Sequence, residues 1–360
     1  MIHRAKTLAR AAELRADFEA AGAVPVETPI LQPARTLLDL YGEEIRARAY
    51  VTSDALRGEQ MLRPDFTVPV VQMHMAHGAE PARYTYSGEV FRRQEHDPDR
   101  ANEYVQVGYE IFDRTDPASA DAEVFSLLSE AVVHLNLRAA TGDIGVLMAA
   151  VKGLQTTAPR KAALLRHIWR PRRFRALLER YAGRVPVSDE RAKLLSGALS
   201  DTSIPMVGKR SRREIERRID ALREDATAAP LSAGEVDLLD ALLDVRETTP
   251  FALERLRDIA VDMPSISLAV SGIEMRADAL DRRGVDVEHL AFEASFGRTS
   301  MEYYDGFVFG FFSAKRPDLP AVATGGRYDA LTHRLGSGAE IPAVGGVLRP
   351  GLMLELEAQP

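Results

Sequence analysis

Four short segments of this chain carry side chains able to bind a small zwitterion. The most informative is Gln106-Val107-Gly108-Tyr109-Glu110. Residues two apart in a strand share a face, so Gln106, Gly108 and Glu110 point the same way. A glycine between an amide and a carboxylate clears floor space above the sheet. Gln106 can donate to or accept from an amino-acid headgroup, and Glu110 can accept from a ring N–H or neutralise a cation. The same pattern also fits a solvated strand face. Arg92 precedes it, and its planar guanidinium suits bidentate recognition of a carboxylate or phosphate, or a surface ion pair. Asp65 and Thr67 follow Arg63-Pro64 on a rigid bend at a helix start. Either can cap that helix, and as a pair they can grip an ammonium group. Glu302, Tyr303 and Tyr304 lead into an aromatic strand, where tyrosines are also ordinary core residues. Thr324-Gly325-Gly326-Arg327-Tyr328-Asp329 reads as a tight glycine turn, its glycines allowing positive φ or close backbone approach.

Other chemistries are poorly supported. The glycine turn lacks the Lys-Ser/Thr of a phosphate loop. The eight histidines are scattered. His74 and His77 lie three apart on a helix without supporting ligands, so both are expected to be satisfied surface histidines. There is no cysteine, which excludes disulfides, thiolate zinc sites and a cysteine nucleophile. No metal site and no cofactor are expected.

The 360 residues are 46% hydrophobic and 28% charged, ordinary for a globular protein able to bury a full core. Lys and Arg number 46 against 53 Asp and Glu, a formal charge of −7. A protein built to grip nucleic acid usually leans the other way. Arg166, Arg170, Arg172, Arg173 and Arg175 cluster, as a solvated helix face or a local basic patch. Met1 to Ala21 carries Glu13, Asp17 and Glu19 and no apolar central run, unlike a signal peptide. No stretch approaches the roughly 18 apolar residues of a membrane span. A cytoplasmic protein is expected.

The elements that must position these residues are an amphipathic helix over 3–21, stopped at Gly22, and an extended piece from Val24 to Ile30. A helix follows over 68–77. Strands Tyr84–Phe91 and Tyr104–Phe112 form an antiparallel pair joined by a long polar, mobile loop. Asp121–Leu137 reads as a helix and 141–150 as an extended run. Residues from 157 to about 258 are rich in Ala, Leu, Arg and Glu at helical spacing. They are read as an insertion between two halves of one α+β domain. The expected division is 1–150 and 259–360 for the core and 151–258 for the insertion. Strands are expected at Leu268–Val270, Val287–Phe292 and Gly306–Phe312, and a last strand running into a helix over Ala343–Leu356.

In combination the segments resemble the class II aminoacyl-tRNA synthetases, and among them histidyl-tRNA synthetase. Pro29, within Glu27-Thr28-Pro29-Ile30-Leu31, resembles the dimer-interface motif. Leu62-Arg63-Pro64-Asp65-Phe66-Thr67 is similar to a histidyl segment that usually has glutamate at the place of Asp65. Phe91-Arg92 through Glu110 is similar to the second motif, with Gln94 where a glutamate is usual. Tyr303-Tyr304, Gly325-Gly326-Arg327-Tyr328-Asp329 and Pro342-Ala343-Val344-Gly345 match further segments. The resemblance runs from about residue 10 to the end. It implies an α+β fold with an antiparallel sheet flanked by helices, and a self-associated dimer. It implies that Asp65, Thr67 and Gln106 hold an α-amino group, that Glu110 and Tyr304 hold an imidazole beside Tyr303, and that Arg92 faces a carboxylate or phosphate.

Three departures set the chain apart. Thr299 stands where a synthetase has an arginine facing the adenylate, and Arg298, one residue along a strand, is expected to face the other way. Leu352 stands where the third motif ends in an arginine on ATP, and Arg349 is three residues off. Losing one such donor costs about a hundred- to a thousand-fold. The sequence stops at Pro360, where a synthetase runs on into an anticodon-binding domain, so none is expected. These departures resemble the non-catalytic paralogues of the family that regulate the short form of ATP phosphoribosyltransferase. That resemblance implies no catalytic residue, the short catalytic subunit as partner, histidine as effector, and neither tRNA nor membrane. A stand-alone histidine-activating enzyme, or another ligase not acting on tRNA, is the alternative.

Overall fold

The computed structural model describes residues 4–41, 45–94, 100–197, 208, 210–298 and 303–358. Thr299, Glu302 and the centre of the 93–102 loop, all singled out above, lie outside the described residues.

The strands in chain order are β1 (Val24–Pro25), β2 (Leu31–Pro33), β3 (Val51–Asp54), β4 (Gly58–Leu62), β5 (Ala82–Phe91), β6 (Glu103–Phe112), β7 (Arg138–Asp143), β8 (Arg246–Thr248), β9 (Ala291–Glu293), β10 (Phe307–Phe312), β11 (Ala323–Arg327) and β12 (Ala343–Leu348). Nine form one sheet in the order β1-β5-β6-β12-β11-β10-β7-β9-β8, and β2-β4-β3 form a second. The expected antiparallel sheet is in fact mixed. Its centre is antiparallel, but β1 runs parallel to β5 and β7 parallel to β9.

The central strands owe their two-sidedness to alternation. On β6, Val105, Val107, Tyr109 and Ile111 face a core shared with Phe307, Phe309 and Phe311 of β10. Helix Arg4–Ala20 contributes Leu14 and Phe18 to this core, and helix Pro117–Val132 contributes Phe125 and Leu128. The latter helix starts on a capping Asp116, whose Oδ1 accepts from the Ser119 amide, with Pro117 in its first turn. It ends at Val132, short of the expected Leu137. The intervening residues Gln106, Gly108 and Glu110 are left for the opposite face, where the site lies.

One charged cluster ties helices to sheet beneath that face. Arg276, on helix Ser267–Arg282, donates to Asp121 at 3.2 Å and to Asp143 at 2.6 Å. Arg327 on β11 donates to Asp121 at 2.7 Å and Asp329 at 3.1 Å. Asp121, Asp143, Arg276 and Arg327 are all buried, so each charge is held only by its partners.

Four expected elements differ. Of the expected strand Val287–Phe292, Val287–His289 is a short 3-10 helix, and β9 begins only at Ala291. The run 141–150 is the end of β7 followed by helix Ile144–Gly153. An unbroken apolar run reads alike as buried strand or buried helix, and Ile144, Val146, Leu147, Ala150 and Val151 are buried on a helix. Leu268–Val270 is the first turn of helix Ser267–Arg282, not a strand. Thr324–Arg327 is not a turn but lies in β11, and its glycines serve close approach: a Cβ on Gly325 would sit 2.5 Å from the Gly345 carbonyl. The helical block runs from helix Ala158–Arg166 to helix Ala233–Leu243, and β8 then rejoins the sheet beside β9. In the arginine cluster, Arg172, Arg173 and Arg175 are exposed along helix Pro171–Tyr181, with Arg175 paired to Asp240 and Glu179.

Candidate functional site

A cavity of about 670 Å³ opens on the face of β6, β12 and β11 that the helix-covered core leaves free. Asp65, Thr67, Arg92, Gln106, Glu110, Tyr303 and Tyr304 all line it, so the structure brings these seven residues together. Their positions follow from local packing. Arg63 donates to the carbonyls of Glu89 at 2.8 Å and Thr28 at 2.6 Å, and its guanidinium lies 3.9 Å over the Phe66 ring. That pins the bend carrying Asp65 and Thr67 to the edge of β5. Helix Thr67–His77 starts there, and Asp65 Oδ1 accepts from the Val68 amide at 3.4 Å.

Glu110 is the centre of the floor. It is buried, and three hydroxyls donate to it: Thr67 at 3.0 Å and Tyr86 at 2.8 Å to Oε1, Tyr328 at 2.5 Å to Oε2. Burial pushes its carboxyl up to about 7, against the pull of the hydroxyls of Tyr328, Tyr86 and Thr67. Tyr86 and Tyr328 were not foreseen. The register set Tyr86 directly opposite Gly108, and the space cleared by that glycine is filled by the Tyr86 ring. A Cβ on Gly108 would be 2.1 Å from Tyr86 Cζ. Gly345 on β12 serves the carboxylate directly, since a Cβ there would lie 1.4 Å from Glu110 Oε2.

Beside Glu110 lie three buried polar atoms without a hydrogen-bond partner: Asp65 Oδ2 and both Oε1 and Nε2 of Gln106. Asp65 is 3% exposed and Gln106 1%. Leaving such groups unsatisfied costs about 1–3 kcal/mol each, which a ligand with its own donors and acceptors recovers. Burial raises the Asp65 carboxyl above its usual range, and the nearby charge of Arg92 opposes that rise. Arg92 itself donates from Nε to the Pro64 carbonyl at 2.8 Å. Tyr303 and Tyr304 pack edge to face at 4.8 Å, and the Tyr303 hydroxyl reaches Thr67 Oγ1 at 3.4 Å.

The outer part of the cavity is cationic. Arg48, Arg100 and Arg349 line it together with Arg92. The guanidinium of Arg349 lies 5.5 Å and that of Arg92 5.9 Å from the Tyr104 ring. Burial pulls Arg349 below the usual guanidinium range, and the charges of Arg92 and Arg100 pull the same way. Sequence position alone, three residues before Leu352, does not place Arg349 in the cavity. Its place just before helix Pro350–Glu357 turns it into the cavity, whereas Leu352, one turn on, packs against the helix-covered core. Arg298 faces away, as expected, but for another reason. It follows Gly297 in a turn rather than on a strand, and its Nε donates to the Ile168 carbonyl at 2.8 Å. The expectation for His74 fails. It is buried, stacked at 4.0 Å on Phe112, with Nδ1 3.1 Å from the Tyr84 hydroxyl.

A family model described as histidyl-tRNA synthetase matches residues 3–217 and 209–350. An ATP phosphoribosyltransferase regulatory subunit from Brucella anthropi is 32% identical, covering 92% of this chain and 93% of its own. Among solved structures, an ATP phosphoribosyltransferase regulatory subunit/histidyl-tRNA synthetase from Bacillus halodurans superposes with a TM-score of 0.68 at 21% identity, over 98% of this chain and 79% of that one. A histidyl-tRNA synthetase from Nostoc superposes with a TM-score of 0.64 at 16% identity, over 98% and 72%. These two likenesses are of fold.

Proposed function

Because this chain belongs to the histidyl-tRNA synthetase family, and within it to the regulatory subunits of ATP phosphoribosyltransferase, we propose that it binds histidine around Glu110 and transmits that binding to a catalytic partner. The partner is the short form of the enzyme, which joins ATP to phosphoribosyl pyrophosphate at the start of histidine biosynthesis. The regulatory chain is required for that activity and confers inhibition by histidine. It works in the cytoplasm as a dimer within a hetero-oligomer, without tRNA.

The observation that carries this reading is the set of unpartnered buried atoms, Asp65 Oδ2 and the amide of Gln106, beside a carboxylate ringed by hydroxyls. An ammonium group meets Asp65 Oδ2 and Gln106 Oε1. A ligand carboxylate meets Gln106 Nε2 within the field of Arg92. An imidazole N–H meets Glu110, against the walls formed by Tyr303 and Tyr304. Histidine shifts the partner only through a difference in affinity between two assembly states. Such couplings are typically about 1–3 kcal/mol, or roughly 5- to 150-fold.

Adenylation by this chain is not part of the proposal. Arg298 is held by the helical block and Leu352 packs against the helix-covered core, so neither serves a phosphate. One observation favours a second reading: Arg349 supplies a cation inside the cavity, the feature a histidine-activating enzyme needs. Histidine-dependent exchange of pyrophosphate into ATP tests that alternative. The main reading is tested by calorimetry with L-histidine. Saturable binding to the wild type, lost in Glu110→Ala, supports it. Equal binding by both excludes this cavity as the sensor.

A further inference from the structure

Two described stretches beside the cavity, 296–298 and 303–304, meet both the cavity and the helical block. Phe296, Gly297, Tyr303 and Tyr304 line the cavity. Backbone of Tyr304 and the side chain of Arg298 are held by the helical block. The Trp169 indole N–H donates to the Tyr304 carbonyl at 3.3 Å. Arg298 Nε donates to the carbonyl of Ile168, the residue before Trp169, at 2.8 Å, and its guanidinium lies 4.8 Å from the Phe174 ring. Both contacts meet the single turn between helices Ala158–Arg166 and Pro171–Tyr181. That turn is firmly seated, since Ile168 and Phe174 are fully buried in the core. Gly297, just before Arg298, has φ +84°, and a Cβ there would lie 2.8 Å from the Val308 side chain, so this corner requires glycine.

Resting on the proposal that histidine occupies this cavity, we infer that Trp169 and Arg298 are positioning residues for the ligand wall. The helical block sets where Tyr303 and Tyr304 stand, and occupancy of the cavity is felt at the indole of Trp169. A ligand packed against Tyr304 loads the same peptide unit whose carbonyl Trp169 holds. By reciprocity, a change that loosens the Trp169 contact weakens the ligand. The block is thereby coupled to the site without contributing a side chain to the cavity lining.

Trp169 is the chain's sole tryptophan, so its emission reports this contact without a label. The experiment titrates the full-length chain with L-histidine, following Trp169 fluorescence and, separately, calorimetric heat. The expected result is a saturable emission change whose midpoint matches the calorimetric Kd, absent in Glu110→Ala. Trp169→Phe keeps a ring but removes the N–H, and Arg298→Lys removes the planar fork. Each is expected to weaken calorimetric binding about two- to tenfold, the range of one net hydrogen bond, with a cooperative thermal transition retained. Calorimetric binding with no emission change, and wild-type affinity in both variants, overturns the coupling while leaving the histidine site intact. No calorimetric binding to the wild type overturns both. The wild-type titration requires no variant to fold.

Discussion

Replacing Glu110 by glutamine separates the stability of the site from its use. The folded carboxyl titrates at about 7 against 4.5 for an ordinary glutamate, a rise of roughly 300-fold in proton affinity, worth about 3 kcal/mol. The sign follows from proton counting. Between pH 4.5 and 7 the folded chain keeps a proton that the unfolded chain has released, so stability falls as pH rises through that window and stays low above it. Glutamine has no proton to lose. Its Oε1 still accepts from Thr67 and Tyr86, and the Tyr328 hydroxyl must turn to accept from Nε2, an exchange within about 1 kcal/mol. Glu110→Gln is therefore expected to match the wild type near pH 5 and to exceed it by about 2–3 kcal/mol at pH 8. Urea denaturation at pH 5, 6, 7 and 8 measures the difference. Other groups that titrate in this window, such as Asp305, pushed up to about 7 by burial and by Asp329, cancel because both proteins carry them. Parallel curves for the two proteins would refute the claim that Glu110 is held above its usual range.

Histidine affinity in the wild type should pass through a maximum between pH 6.5, where free imidazole titrates, and about 7, where Glu110 does. It should fall up to about tenfold per pH unit outside that range, and calorimetry at fixed ionic strength reads the profile. Gly345→Ala places a methyl 1.4 Å from the present position of Glu110 Oε2. It should abolish measurable histidine binding while costing about 1–3 kcal/mol in urea denaturation, as overpacking does. Asp121→Ala leaves Arg276 and Arg327 buried with one carboxylate fewer each, and should lower unfolding free energy by about 3–5 kcal/mol.

Much of the site was legible because it lies on one strand face. Gln106 and Glu110 are two steps apart each way from Gly108, and a period of two places them correctly whatever the rest of the chain does. The hydroxyls around Glu110 were not legible in the same way. Tyr86 and Tyr328 come from other segments, and only the β5–β6 register and the β11–β12 packing bring them to one carboxylate. A bulky tyrosine facing a glycine across a hairpin is the signal that could have found Tyr86. Arg48, Arg100 and Arg349 likewise converge through tertiary structure. A count along the third motif leads to Leu352 and passes over Arg349, which the strand-to-helix corner turns inward. Local misreadings have separate causes. Ile144–Gly153 is an apolar run whose period is hidden by burial on several sides, Leu268–Val270 is too short a run to show a helical period and leaves Leu268 exposed, and Gly325-Gly326 mimics a turn because close strand packing selects the same residue.

The central claim is tested most directly by adding this chain, stepwise, to the short ATP phosphoribosyltransferase subunit and following phosphoribosyl-ATP formation with and without histidine. The expected result is activity that rises with the regulatory chain to a stoichiometric plateau and falls on adding histidine. With Glu110→Ala the plateau should remain and the inhibition should disappear. A catalytic subunit equally active without this chain, or inhibition unchanged in Glu110→Ala, would contradict the account.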